Sequence, residues 1–128
     1  MQQRLKILLT GVAGFIGFHL AKRLCEAGHY VIGIDNLNDY YSVQLKKDRL
    51  KQLDEFVELN LFSFYKIDIA DLSNLKKLFI ENKIDITINL AAQAGVRYSL
   101  ENPHEYIRTN VQGFMNILEC CRYNDVKS

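Results

Sequence analysis

Tryptophan is absent from this 128-residue chain, proline occurs once and cysteine three times. An odd number of cysteines, two of them adjacent (Cys120 and Cys121), makes no disulfide framework. Cys25, Cys120 and Cys121 read as reduced thiols on helices, which points to the cytoplasm. His19, His29 and His104 are far apart and none lies in a ligand motif with cysteine, so no metal site is expected. Long apolar runs are missing too, and none approaches the roughly 20 residues of a membrane span. Met1-Gln2-Gln3-Arg4 leads straight into the first apolar run, which leaves no room for a signal peptide. Charge of one sign is also lacking: the formal net charge is +1, and the aromatic residues are not interleaved with basic clusters. Nucleic acid and anionic membrane are therefore not expected as partners. Repeats, low-complexity tracts and linkers are not seen.

What is present is a hydrophobic content of 48%, which suits one domain with a buried parallel sheet. Apolar runs alternate with helical patterns, the signature of βαβ units. Strands are expected at Leu5–Leu9, Tyr30–Ile34, Phe62–Ile67 and Ile84–Leu90, the last apolar enough for burial on both faces. Helices are expected at Phe15–Ala27, ended by Gly28, at Val43–Leu59, and at Leu72–Asn82, capped by Asp71 or a neighbour. Lys46, Lys47, Arg49 and Lys51 read as a solvated face of the second helix. A loop, Ala91–Asn102, precedes a long helix that Pro103 opens and that runs to about Tyr123. The expected fold is α/β, a Rossmann-like doubly wound parallel sheet of four strands in the order 3-2-1-4 with flanking helices.

The most informative stretch is Thr10-Gly11-Val12-Ala13-Gly14-Phe15-Ile16-Gly17, between the first strand and the first helix. Such a strand–glycine turn–helix unit binds phosphate. Gly11 allows the tight turn, Gly14 lets a pyrophosphate approach the backbone, and Gly17 lets the helix pack on the strand. The free N–H groups and the helix dipole favour the anion. The second strand runs into Asp35, 18 residues after Gly17, near the spacing of roughly 20 at which a carboxylate meets the adenosine ribose. A carboxylate there repels a 2′-phosphate, and no arginine follows directly in Asp35-Asn36-Leu37-Asn38, which favours NAD over NADP. Gly11, Asp35, Asp68 and Ala91 all fall at the carboxyl ends of the expected strands, where such a cofactor lies.

Thr10-Gly11-x-x-Gly14-x-x-Gly17, Asp35-Asn36, Asp68-Ile69 and Leu90-Ala91-Ala92 resemble the pattern of the extended short-chain dehydrogenases/reductases. Within that family, Asp35 to Tyr41 and Ala91 to Ser99 resemble the NAD-dependent nucleotide-sugar epimerases, most of all those of the UDP-glucuronate 4-epimerase type and next the UDP-glucose type. The resemblance covers essentially the whole chain. It implies that Gly11, Gly14, Phe15, Ile16 and Gly17 hold the pyrophosphate and that Asp35 and Asn36 hold the adenosine ribose. It implies that Asp68 and Ile69 meet the adenine, with Asp68 accepting from its exocyclic amine. Ala91, Ala92 and Gln93 would line the cofactor, Asn110 would lie close to it, and Arg97, Tyr98 and Ser99 would face a nucleotide-sugar substrate.

Plainer readings stand beside these. Asp68 can serve the turn Asp68-Ile69-Ala70-Asp71, Arg97 can be a solvated charge, and Asn110 a polar residue on an ordinary helix. Tyr40 and Tyr41 read as packing for the loop and second helix. The resemblance implies hydride transfer at sugar C4 with a Tyr/Lys pair, four residues apart, as the base. Tyr123 and Lys127 have that spacing but fall at a helix exit before a fifth strand, so neither reads as catalytic. The chain is accordingly expected to be the N-terminal NAD-binding part of a longer enzyme, lacking a C-terminal substrate domain and inactive alone. A sugar-nucleotide dehydratase or reductase, or a non-catalytic dinucleotide sensor, are the rival readings. The long helix is rich in apolar residues (Tyr106, Ile107, Val111, Phe114, Met115, Ile117, Leu118), beyond what one sheet face needs, so a homodimer or other self-association is expected.

Overall fold

Four apolar runs form strands in the computed structural model, which describes residues 4–38, 42–92 and 96–128, with the backbone alone described at 96–98. They are β1 (Lys6–Thr10), β2 (Tyr30–Asp35), β3 (Phe62–Lys66) and β4 (Ile86–Asn89). All pairings are parallel and the order is β3-β2-β1-β4, the Rossmann-like arrangement expected from the sequence. In register, Thr10 meets Ile34 on one side and Asn89 on the other, and Asp35 meets Lys66. The carboxyl ends of all four strands thus share one edge.

Side chains alternate across the sheet because strand residues point to opposite faces in turn. Leu8, Ile32 and Ile34 face α4 (Leu72–Glu81) and α7 (Phe114–Tyr123), meeting Leu75, Leu78, Phe79, Ile117 and Cys120. Leu9, Val31 and Phe62 face α1 (Phe15–Glu26) and α3 (Asp54–Glu58), meeting Phe18, Ala21, Cys25 and Phe56. Each fully buried Leu or Ile contributes about 1.5–3 kcal/mol, so these two clusters hold the layers together. The three cysteines are free, and burial pushes the Cys25 thiol up to about 12. Among the described residues, no helix is long and apolar enough to cross a membrane.

Local signals worked where they are short-range. Asp71 caps α4, its carboxylate accepting from Asn74 N–H, and Gly28 follows α1 with a left-handed φ of 89°. Several expectations need correction. The helix expected over Val43–Leu59 is two, α2 (Val43–Lys51) and α3, separated at Gln52 and Leu53. Leu53 is fully buried, and the break lets both it and Phe56 reach the core cluster over β1 and β2. Lys46 is buried, not solvated: its ammonium donates to the Asn38 carbonyl and side-chain oxygens, both at 2.9 Å. β4 is shorter than expected and only half-buried, because it lies at the edge of the sheet. Thr87 N–H on its outer side donates to the Ser128 carbonyl at 2.7 Å.

The segment Ala91–Asn102 contains a short helix, α5 (Val96–Glu101). Beyond it, the long helix comes in three pieces: α6 (Pro103–Ile107), a π turn over Arg108–Gly113, and α7. Pro103 opens the first piece, as expected, and Asn102, which the sequence placed in the loop, caps it. The face this helix turns to the sheet is made of Thr109, Gly113, Asn116, Ile117 and Cys120. Most of the apolar residues point outward instead: Ile107, Val111, Phe114, Met115 and Leu118 are all exposed. The small and polar inner face permits close approach. A Cβ on Gly113 would stand 2.5 Å from Ile69 Cγ1, and Asn116 Nδ2 donates to the Ile69 carbonyl at 2.9 Å.

Candidate functional site

The glycine turn leaves β1 at Thr10. Gly11 takes a left-handed φ of 69°, which a side chain would strain. A Cβ there would also lie 2.9 Å from Ala91 N, so the two loops touch backbone to backbone. Thr10 Oγ1 joins them, accepting from Ala91 N–H at 3.0 Å and bonding Asn89 Oδ1 on the other side. Gly14 caps α1 in extended conformation, and Phe18 N–H is bonded to the Gly14 carbonyl at 2.9 Å. The N–H groups of Phe15, Ile16 and Gly17 are therefore the first-turn donors, which have no intrahelical acceptor. The side chains of Phe15 and Ile16 are largely exposed, so what they offer an anion is backbone.

The peptide of Ala13, in the middle of this turn, is clamped at both ends. Its N–H donates to Asp35 Oδ2 at 3.1 Å, and its carbonyl accepts from Arg49 at 3.0 Å. Asp35 Oδ1 accepts from Leu37 N–H at 2.8 Å. A carboxylate has about four acceptor positions, so two remain for a ligand. Asp35 is buried at the end of β2, and Lys46 reaches the same cleft from α2.

Asp68, in the turn after β3, is held by three donors. Oδ1 accepts from Ala70 N–H at 2.9 Å, while Oδ2 accepts from Arg108 at 2.6 Å and from Asn36 Nδ2 at 3.4 Å. Burial pushes this carboxyl up, but the Ala70 N–H, the Arg108 guanidinium and the Asn36 amide outweigh it and hold it below its ordinary value. Arg108 also grips Glu105 through two bonds, at 2.8 and 2.9 Å.

Gly11, Gly14, Asp35, Asn36, Asp68, Ile69, Ala91 and Ala92 line one cleft across the carboxyl edge of the sheet. These are eight residues that sequence reasoning placed at a cofactor. Gly17 stands just behind them, where a Cβ would overlap the Gly11 carbonyl oxygen. Gln93, Tyr40 and Tyr41 lie outside the described residues. Arg97, Tyr98 and Ser99 lie on α5, with Ser99 half-buried. Asn110 is half-buried on the π turn. Sequence reasoning missed Thr10, Lys46, Arg108 and Thr109. Of the π turn, Thr109 is the residue that lines the cleft, and its buried Oγ1 has no hydrogen-bond partner. The only signal for it was its place beside Asn110.

Does this cleft fit a dinucleotide? An anion has a glycine-lined helix start, a ribose has a buried carboxylate with free acceptor positions, and the orphaned Thr109 hydroxyl needs a partner. The donor and acceptor set matches. The family model described as GDP-mannose 4,6 dehydratase matches residues 8–128. The chain belongs to that family. Protein CapI of Staphylococcus aureus is 53% identical over 124 residues, which is 97% of this chain and 36% of that protein. The UDP-glucuronate 4-epimerase of Thermodesulfobacterium geofontis is 47% identical over 120 residues, 94% of this chain and 36% of that enzyme. Among solved structures, a variant of UDP-glucuronic acid 4-epimerase from Bacillus cereus, in complex with UDP-4-deoxy-4-fluoro-glucuronic acid and NAD, superposes with a TM-score of 0.82. It is 35% identical, over 96% of this chain and 38% of that one. This chain thus spans little more than a third of the length of these relatives.

Proposed function

We propose that this chain is the NAD-binding part of a nucleotide-sugar 4-epimerase that acts on a UDP-sugar of the UDP-glucuronate or UDP-glucose type. The observation that carries the reading is the cleft itself, where the Gly11–Gly17 turn and Asp35 stand together, braced through Ala13. The identity to a UDP-glucuronate 4-epimerase and the likeness to one solved with NAD support the choice of cofactor and substrate. NAD, when bound, supplies the acceptor and donor of a hydride at the sugar C4. The chain's own part is to hold it: first-turn N–H groups at the pyrophosphate, Asp35 and Asn36 at the adenosine ribose, Asp68 and Ile69 at the adenine. Ala91, Ala92 and Gln93 continue along the cofactor, with Asn110 close by. Arg97, Tyr98 and Ser99 face the nucleotide sugar.

By itself the chain binds NAD and turns nothing over. Tyr123 is exposed at the end of α7, its ring under the Arg122 guanidinium. Ser128 lies beside Thr87 near the start of β4, so Tyr123 and Lys127 are at the opposite edge of the sheet from the cleft. The test is calorimetric titration with NAD and NADP, together with a C4-epimerisation assay on UDP-glucuronate and UDP-glucose. Saturable NAD binding without turnover by this chain, and turnover by the protein of the intact gene, is the expected pair of results. Absence of NAD binding to that intact protein sinks the reading. The match to a GDP-mannose 4,6 dehydratase model favours one second reading, a sugar-nucleotide dehydratase, and the same assay separates it by a 4-keto-6-deoxy product.

Thr109→Val removes a buried hydroxyl that has no partner, so the free protein is expected to gain about 1 kcal/mol while NAD binds roughly tenfold more weakly. Calorimetric melting and titration measure the two effects, and a variant that gains stability with unaltered NAD affinity would remove Thr109 from the site. The exposed row Ile107, Val111, Phe114, Met115 and Leu118, spaced along one helix face, is proposed as the surface where two copies meet. Light scattering should then give a dimer mass that Phe114→Glu returns to monomer.

A further inference from the structure

Arg108 belongs to none of the groups that resemblance assigns to the cofactor, yet it sits at the centre of the charged network beside the cleft. Its guanidinium spans two carboxylates on two elements. Nε and one terminal nitrogen fork onto Glu105, one helical turn earlier, and the same terminal nitrogen reaches Asp68, 40 residues back, at 2.6 Å. Asp68 lines the cleft, and its side chain is 23% exposed while that of Arg108 is 39% exposed. With Ala70 N–H on Oδ1 and Arg108 and Asn36 on Oδ2, one of the carboxylate's four acceptor positions is left. The three donors also keep the group ionised, so what remains is an acceptor in a set direction and never a donor.

We propose that Arg108 is a positioning residue that makes the cleft select a 6-aminopurine dinucleotide over a 6-oxopurine one. It does so by locking Asp68 as an oriented acceptor, and the inference rests on the NAD reading above. An amino group at purine C6 donates to that acceptor. An oxo group at the same place sets its oxygen against the carboxylate, and neither is then satisfied. Sites that bury a hydrogen-bonding group reject the analogue that leaves it unpaired. Lysine cannot reproduce the fork onto Glu105 but keeps a cation beside Asp68. Methionine keeps only the apolar stem and frees the carboxylate to turn.

The test uses the protein as its intact gene encodes it, titrated by calorimetry with NAD and with nicotinamide hypoxanthine dinucleotide. Wild type is expected to prefer NAD by about tenfold or more, the worth of one charge-assisted hydrogen bond. Arg108→Met is expected to bring the two affinities within about threefold, and Arg108→Lys to restore most of the preference. Should the methionine variant fail to fold, Arg108→Gln reads the same ratio. A structural brace alone would weaken both dinucleotides equally. An unchanged ratio in Arg108→Met or Arg108→Gln, or an equal loss for both, overturns the proposal while leaving the NAD site standing. A wild type that binds neither dinucleotide overturns the cofactor reading itself, and this one with it.

Discussion

Gly17→Ala is expected to cost about 3 kcal/mol or more and to abolish dinucleotide binding. The Cβ would overlap the Gly11 carbonyl oxygen, with Gly11 C at 2.9 Å and Val12 Cα at 3.0 Å. Every obstacle is backbone of the turn itself, so no rotamer change relieves it. α1 must move away from β1 or the turn must open, and either shift carries the first-turn N–H groups off the anion. A thermal melt followed by circular dichroism reads the first effect and an NAD titration the second. Gly28→Ala is the control. A Cβ there meets nothing within 4 Å, so only the left-handed backbone opposes it, at about 1–2 kcal/mol, and the cleft is untouched. A Gly17→Ala protein that melts with wild type would show that the turn yields, and the packing argument would fail.

Asp35→Ala is expected to weaken NAD binding by about a hundredfold or more. On the proposed reading, two hydrogen bonds from ribose hydroxyls to the carboxylate, at about 1.5–3 kcal/mol each, are lost together. The same change strips Ala13 N–H of its acceptor, leaving a buried donor unpaired and the glycine turn held only by Arg49. Asp35→Asn separates the two roles in part, since its amide oxygen can still accept from Ala13 N–H while its amide nitrogen is set against Leu37 N–H, the partner of the other carboxylate oxygen. It is expected to melt between wild type and Asp35→Ala and to narrow the preference for NAD over NADP, because the charge that opposes a 2′-phosphate is gone. Lys46, which lines the same cleft, then adds attraction for that phosphate. Unaltered NAD affinity in Asp35→Ala would show that the carboxylate serves the turn alone.

Much of the cleft was legible in the residues. The glycine spacing, the apolar runs, the cap at Asp71 and the helix-ending Gly28 are local signals, each acting within a few residues, and the structure has them where they were expected. Because each strand ends within one residue of its expected place, Gly11, Asp35, Asp68 and Ala91 come together at one edge. Reading failed where a side chain's environment is made by distant segments. Lys46 sits among lysines and an arginine that suggest a solvated face, yet Asn38 satisfies its ammonium and it is buried. On the long helix one apolar stripe was expected on the sheet and the rest left over for a partner, whereas the small and polar Thr109, Gly113 and Asn116 share the sheet face with Ile117 and Cys120. Hydropathy ranks Phe114 above Gly113, but Ile69 leaves no room for a side chain there.

Sequence alone determined the parallel four-stranded order, the glycine turn and the acid at the end of the second strand. Each follows from periodicity, from a residue that has no Cβ, or from spacing along one chain. Only the tertiary structure decided that Asp35 braces the turn it serves, that Arg108 reaches Asp68 and that Thr109 enters the cleft with an unpaired hydroxyl. Those contacts join residues 22 to 40 positions apart or depend on which way a helix is rotated. No spacing rule records that rotation, because packing against the finished sheet sets it.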